Sequence, residues 1–158
     1  MKKYNVYLES SFISYLASKK SKNLTVASNQ RASKEWWQHQ KHHFDLFISP
    51  LVINEISQGN STAARKRVEL IQSLSLLEVS VLAKDIAQRL LDGGAFPHHA
   101  VADALHVGIA TAYNIDFILT WNFKHLANVV AQTKMKEIIN GMQLRLPAMC
   151  IPQELLGG

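Results

Sequence analysis

One carboxylate lies in a segment that is otherwise almost entirely apolar. The stretch VADALHVGIATA covers residues 101–112, and Asp103 is its only acidic residue. On a helix, its neighbours one turn away include His99 and His106 but no second acid. An unpaired carboxylate is costly to bury, so such a group is usually paired, protonated or bound to a cation. We therefore expect Asp103 to meet partners from distant parts of the chain.

Three further polar residues follow short apolar runs that are typical of buried strands. Glu9 follows YNVYL, Asn122 follows DFILT and Trp121, and Glu55 lies in a helical segment just after DLFIS. If these strands are parallel, their carboxyl ends meet at one edge of the sheet, where α/β proteins bind ligands. Three carboxylates and an amide form an oxygen-rich site suited to Mg²⁺ or Mn²⁺. Such an ion activates water and stabilises charge on a phosphodiester.

An alternation of strand-like and helix-like segments would position these residues. It predicts an α/β fold with a parallel sheet covered by helices on both faces. Strands are expected at residues 4–8, 45–49, 76–80, 116–120 and 147–151.

Capping residues and glycines predict the helix boundaries. Ser10 or Ser11 would cap the first helix, and Ser49 followed by proline would start the helix that carries Glu55. Two helices are expected through AARKRVELIQSL, starting near residue 61, and through LAKDIAQRLLD, ending at Gly93. The others are expected over 34–44, from Pro97 to about Asn114, and over 122–131 with Asn122 as cap. The polar, basic residues 18–34 are expected to form a long surface loop.

Composition places the chain among globular proteins. Its 158 residues are 47% hydrophobic and 18% charged, which predicts a single domain over 1–158 with a sizeable core. No apolar run reaches the ~18 residues of a membrane span, and no membrane association is expected. Cys150 is the only cysteine, which fits a reducing cytoplasm. The net charge of +5 is concentrated before residue 43 and is compatible with a polyanionic partner.

Four pieces of the chain together resemble the PIN-domain family, and the similarity is greatest to VapC-like ribonuclease toxins of bacterial toxin–antitoxin pairs. They are VYLESSFISYL, ISPLVINEISQG, VADALHVGIATAYNIDFILTWNFKHLAN and CIPQELL. The resemblance implies a PIN-like three-layer α/β/α fold with a central, mostly parallel sheet. It also implies hydrolysis of RNA with Mg²⁺ or Mn²⁺, leaving a 5′-phosphate and a 3′-hydroxyl. A cognate antitoxin and a homodimer are expected on the same basis.

The resemblance also assigns roles to individual residues. Glu9 falls where the family usually has its first aspartate, and Glu55 and Asp103 match the second and third acidic positions. These three would hold the metal, while Asn122, at the fourth acidic position, would ligate the ion or position water. Glu9 is one methylene longer than aspartate, and Asn122 carries no charge, which should weaken metal affinity. Asp116 precedes its strand and is expected at the opposite edge of the sheet.

Supporting roles are expected for residues around this site. Ser10 and Thr120 would orient the carboxylates by hydrogen bonding, whereas Ser11 is expected only to cap a helix. RNA contacts are expected from cations that bind phosphates and from an aromatic residue that stacks on bases. These candidates are Lys19, Lys20, Lys22, Arg31, Lys34 and Trp121, with Arg65, Lys66 and Arg67 as a second basic cluster. Of Trp36 and Trp37, at most one is expected to be fully buried.

Three other functions compete with this interpretation. His99, Asp103 and His106 are spaced to share a helix face and bind zinc or iron, although His106 is more simply expected to pack in the core. A metal-free ribonuclease would use two histidines as acid and base, which leaves Asp103 and Glu55 without a role. A module that binds RNA or a protein without turnover would explain the departures at Glu9 and Asn122.

Overall fold

Five parallel strands form the central sheet of the protein. The computed structural model describes residues 2–157. The strand order is β3-β2-β1-β4-β5, and every neighbouring pair is parallel. The strands are β1 Tyr4–Leu8, β2 Phe44–Ile48, β3 Ser75–Leu76, β4 Phe117–Leu119 and β5 Ala148–Cys150. The predicted α/β class with a central parallel sheet is therefore confirmed.

Helices pack in two groups around this sheet and give the three-layer architecture. Helix α1 contacts α2, α3 and α4, and α5 packs against both α6 and α7. The helices are α1 Ser10–Ala17, α2 Leu24–His39, α3 Pro50–Ile56, α4 Ser61–Ile71, α5 Val81–Asp92, α6 Val101–Ala112 and α7 Val129–Gly141. Short 3₁₀ turns lie at Lys41–His43 and Pro152–Glu154.

Helix α2 replaces most of the surface loop expected over 18–34, so that prediction was wrong. The helix begins at Leu24, ten residues before the predicted start, with Asn23 accepting a hydrogen bond from the Val26 N–H. Its buried face carries Gln30 and Ser33 rather than only apolar residues. The Gln30 side chain donates to Ser18 Oγ and the Lys19 carbonyl, so its burial leaves no amide hydrogen unbonded. A polar buried face hides the apolar periodicity by which a helix is recognised.

Two other predicted helix starts were placed too early. The helix expected from Asn122 begins at Val129, where Asn128 is the N-cap, and Phe123–Ala127 form turns instead. Similarly, Pro97 precedes a turn, and α6 begins at Val101. The strand predicted over 76–80 is also shorter, because only Ser75–Leu76 pairs with β2 at the edge of the sheet.

The carboxyl ends of β1, β2 and β4 are adjacent at the centre of the sheet, because β1 pairs with β2 on one side and β4 on the other. As expected, Asp116 lies at the other end of the strands. There its carboxylate accepts from the Asn5 N–H and pairs with Arg145 at 3.0 Å. Between residues 2 and 157, no helix has both the length and the apolar character needed to cross a membrane.

Candidate active site

The carboxylate of Glu9, at the end of β1, accepts three hydrogen bonds. It is buried and is itself the N-cap of α1, a role predicted for Ser10 or Ser11. Its Oε2 accepts from the Ser11 N–H at 3.1 Å. Its Oε1 accepts from Ser11 Oγ and, at 2.6 Å, from Thr120 Oγ1 at the end of β4. Ser11 thus fixes the carboxylate as well as starting the helix.

Glu55 approaches the same point from α3. Its Oε1 accepts hydrogen bonds from Ser10 Oγ and from His106 Nε2, the latter at 2.6 Å. Burial tends to raise the pKa of Glu55, but the hydrogen bond and charge interaction with His106, together with the Ser10 bond, hold that pKa below its usual value. The lowered pKa favours the ionised form of Glu55, which is the form that binds a cation.

His106 is fully buried, and both of its ring nitrogens are engaged. Its relative exposure is 0%, as expected for a core position. However, the ring contacts polar groups: Nε2 meets Glu55, and Nδ1 lies 2.7 Å from the Tyr7 hydroxyl. Tyr7 Oη lies 2.8 Å from Ser49 Oγ. Burial raises the pKa of the Tyr7 phenol, and the charges of Glu9 and Glu55 add to this effect while the Ser49 hydrogen bond opposes it.

Asp103 lies one turn before His106 on α6 and has two partners of its own. Asn122 Nδ2 donates to Asp103 Oδ1 at 3.1 Å, and His125 Nδ1 lies 2.6 Å from Asp103 Oδ2. The Asn122 amide oxygen accepts from the His125 N–H, so these two residues form one unit. The Asn122 N–H also donates to Thr120 Oγ1, and Thr120 Oγ1 donates to Glu9. Asn122 and Thr120 thus connect Asp103 to Glu9.

The donor set suits a hard divalent cation. One ligand atom each from Glu9, Glu55 and His106 lie within 4.8 Å of one another. Since both His106 nitrogens already have partners, the carboxylate oxygens are the available ligands, and oxygen ligands favour Mg²⁺ or Mn²⁺. Two carboxylates this close repel each other unless a cation or proton offsets their charge. Within residues 2–157, Asp103 joins no such compact group, although it belongs to the same hydrogen-bonded network.

Solved structures share this fold. VapC20 of Mycobacterium tuberculosis, described as a sarcin–ricin loop cleaving toxin, matches with a TM-score of 0.61 and 13% identity, covering 77% of this chain and 92% of the other. A chain in VapBC2 from Rickettsia felis, bound to a DNA fragment from the promoter, matches with a TM-score of 0.60 and 15% identity, covering 92% and 97%. The chain has the PIN-like fold of VapC toxins. No family model and no curated relative matches the sequence.

On the VapC-like fold, the alternative histidine site loses its geometric basis. His99 lies in a turn before α6, so it does not share a helix face with Asp103 and His106. Its ring instead meets that of His125, with centroids 6.0 Å apart. His106 is turned toward Glu55 and Tyr7. The structure does not bring His99, Asp103 and His106 together as a triad.

The candidate RNA contacts divide into exposed cations and a buried aromatic. The five cations are all exposed: Lys19, Lys20, Lys22, Arg31 and Lys34. Trp121 is only 6% exposed, and its Nε1 donates to Ser33 Oγ at 2.7 Å, so it is not accessible for base stacking. Phe123, 52% exposed and in edge contact with Trp121, is the accessible aromatic beside Asn122. Trp36 is buried and Trp37 partly so, as expected.

Sequence reasoning missed the part that four residues play in the candidate site. Tyr7 and His125 were given no role, and Ser11 and Ser49 were regarded only as helix caps. Two of them have a local signal: Ser11 lies two residues after Glu9, and His125 follows Asn122 by three residues, the spacing at which a capping side chain meets a main-chain N–H. Tyr7 and Ser49 give no such signal, because their contacts join residues 42 and 99 positions apart.

Proposed function

We propose that the protein is a metal-dependent endoribonuclease and the toxin of a toxin–antitoxin pair. The main support is the pair of carboxylates from Glu9 and Glu55, brought within 4.8 Å of each other at the carboxyl ends of the sheet. The VapC-like fold adds to this support, since one neighbour of that fold is described as a sarcin–ricin loop cleaving toxin. Glu9, Glu55 and Asp103 would hold the ion, and Asn122, predicted to ligate it or position water, would hold Asp103 in place.

The reaction is a hydrolysis of the RNA backbone. A bound Mg²⁺ or Mn²⁺ would supply an activated water and a counter-charge for the phosphate. Water adds to phosphorus, the bond from phosphorus to O3′ breaks, and a proton passes to O3′. The products are a 5′-phosphate and a 3′-hydroxyl. Ser10, Ser11 and Thr120 keep Glu9 and Glu55 in place, so these carboxylates need little rearrangement before the reaction.

Asp103 has a free side that its two hydrogen bonds do not occupy. A carboxylate has about four lone-pair positions, and Asn122 and His125 use two of them. The remaining positions leave Asp103 able to bind the ion or orient the attacking water. Asn122, donating through its amide nitrogen, presents no oxygen to an ion here, because its oxygen accepts from the His125 N–H. We therefore infer that Asn122 acts mainly by holding Asp103.

A purified preparation incubated with a mixed pool of RNAs tests this function. We expect cleavage with Mn²⁺ or Mg²⁺, 5′-phosphate ends on the products, and no cleavage in EDTA. Cleavage that persists in EDTA would favour a histidine mechanism instead. RNA that is bound with Mn²⁺ present but stays intact would favour a non-enzymatic binding module.

The exposed cations would hold the RNA backbone away from the cleavage point. Lys34 lies on the rim of two concave surfaces, one shared with Lys20 and Arg31 and the other with Lys66 of the second basic cluster. Arg67 of that cluster is occupied by the carbonyls of Ile56 and Gln58. Within residues 2–157, none of the cations on these rims forms an ion pair with a carboxylate within 4.0 Å.

Lys34→Gln should weaken RNA binding without changing the protein's fold. In an Asp103→Asn background, in which cleavage should be about 100-fold slower or more, we expect a several-fold loss of affinity for RNA. The slope of log K against log salt should fall by ~0.7, the value for one phosphate contact of a single strand. Fluorescence anisotropy with labelled RNA measures both. Lys136→Gln, at an exposed position on α7, is the matched control. Equal slopes for the two variants would remove this surface from the RNA interface.

The remaining partners belong to the same proposal. A cognate antitoxin would restrain the toxin, and two copies would form a homodimer in the cytoplasm. The support is the fold shared with VapC toxins and the presence of VapBC2 among the neighbours.

A further inference from the structure

A buried chain of hydrogen bonds leads from the core to Glu55. The Val52 N–H donates to Ser49 Oγ at 3.3 Å, Ser49 Oγ lies 2.8 Å from Tyr7 Oη, and Tyr7 Oη lies 2.7 Å from His106 Nδ1. His106 Nε2 then lies 2.6 Å from Glu55 Oε1. Ser49 and His106 are both 0% exposed, so water does not compete for these contacts.

The ionised Glu55 determines which atom donates at its own end of this hydrogen-bonded chain. The carboxylate only accepts, so His106 Nε2 must carry a hydrogen and donate it to Glu55. The Tyr7 hydroxyl pairs with Nδ1, and Ser49 Oγ pairs with the Tyr7 hydroxyl. The opposite histidine tautomer would set the Nε2 lone pair against the carboxylate oxygen. The Tyr7 hydroxyl thus anchors the imidazole ring through the nitrogen that does not contact Glu55.

We propose that Tyr7 and His106 are positioning residues that hold Glu55 in the orientation needed to bind the divalent cation. His106 occupies Oε1 together with Ser10, whereas no protein hydrogen bond to Oε2 is present within residues 2–157. The hydrogen-bonded chain therefore leaves Oε2 as the Glu55 oxygen available to an ion. This inference rests on the proposed role of Glu55 as a metal ligand. Partners that orient a ligand in this way typically contribute 10- to 100-fold in metal affinity.

Tyr7→Phe is the direct test, because it removes one hydroxyl and keeps the ring in the core. We expect Mn²⁺ affinity, measured by isothermal titration calorimetry, to fall about 10- to 100-fold. The Mn²⁺ concentration for half-maximal cleavage should rise in parallel, while the rate at saturating Mn²⁺ recovers much of the wild-type value. Tyr4→Phe makes the same chemical change at an exposed position on the same strand and should leave affinity unchanged.

His106 variants separate positioning from simple packing. His106→Gln retains a nitrogen that can donate to Glu55 and should restore part of the Mn²⁺ affinity, whereas His106→Leu should not. A folded Tyr7→Phe protein with wild-type Mn²⁺ affinity would overturn the inference. If the wild type binds Mn²⁺ and responds to Tyr7→Phe but cleaves no RNA, the proposed ribonuclease function fails while the positioning role stands. If the wild type binds no Mn²⁺, both fail.

Discussion

Replacing Asp103 with asparagine should reduce RNA cleavage by about 100- to 10,000-fold, the range typical of losing a group that acts directly at the reacting centre. Asparagine has nearly the same shape as aspartate, but it removes the negative charge and one acceptor. Asp103 accepts from Asn122 through one oxygen and pairs with His125 through the other, whereas the asparagine amide has only one oxygen. The loss should appear in the rate with Mn²⁺ at saturation, since a weakly bound ion alone would be rescued by more metal.

The control for this variant is Asp85→Asn. Asp85 is exposed and forms only a surface ion pair with Arg89, a kind of contact that contributes little to stability. Its cleavage rate should match that of the wild type. Circular dichroism and thermal unfolding should show that Asp103→Asn remains folded. Cleavage within a few-fold of wild type in a folded Asp103→Asn protein would exclude Asp103 from the reaction.

Replacing Asn122 with aspartate should destabilise the metal-free protein and strengthen its binding of Mn²⁺. In EDTA, the new carboxylate would stand where an amide now donates to Asp103 at 3.1 Å, so a hydrogen bond becomes a charge repulsion. We expect the free energy of unfolding to fall by about 1–3 kcal/mol. With Mn²⁺, the added charge should raise the affinity of the ion about tenfold or more, since affinity follows the charge of the ligands.

Thermal unfolding with and without Mn²⁺ measures both effects in one experiment. The increase in Tm on adding Mn²⁺ should be larger for Asn122→Asp than for the wild type. Asn128→Asp is the matched control, because aspartate also serves well as the N-cap of α7 and the change lies outside the carboxylate network. If Asn122→Asp behaves like Asn128→Asp in both conditions, Asn122 does not adjoin the cation.

The sequence predicted the elements that carry the acidic residues better than the segments between them. Strands β1, β2 and β4 are apolar runs that are easily recognised in the sequence. Glu9 directly follows β1, Glu55 lies in the helix after β2, and Asn122 lies shortly after β4, so each signal is local. Helix α2 was misread because Gln30 and Ser33 occupy its buried face, where the expected pattern requires apolar side chains. Asn122 was read as a helix cap because its side chain does accept from a main-chain N–H three residues on, but the helix does not continue.

The site's internal contacts were harder to predict for a different reason. The approach of Glu9 and Glu55 follows from the parallel sheet, whereas the partners of each carboxylate depend on side-chain directions that only the packed structure fixes. His106 was expected in the core and does lie there, yet it contacts Glu55 from a helix 51 positions away in sequence. Trp121 adjoins the site in sequence, but its ring turns inward to Ser33.

Locating Mn²⁺ directly tests the central claim that the carboxylates form a cation site. Crystals grown with Mn²⁺ would be measured near the manganese absorption edge, and the anomalous difference map would be inspected for its strongest peak. The predicted result is a peak between the carboxylates of Glu9 and Glu55, on the side facing Asp103. A strongest peak at His99 and His125, or no peak at Glu9 and Glu55 at saturating Mn²⁺, would contradict it.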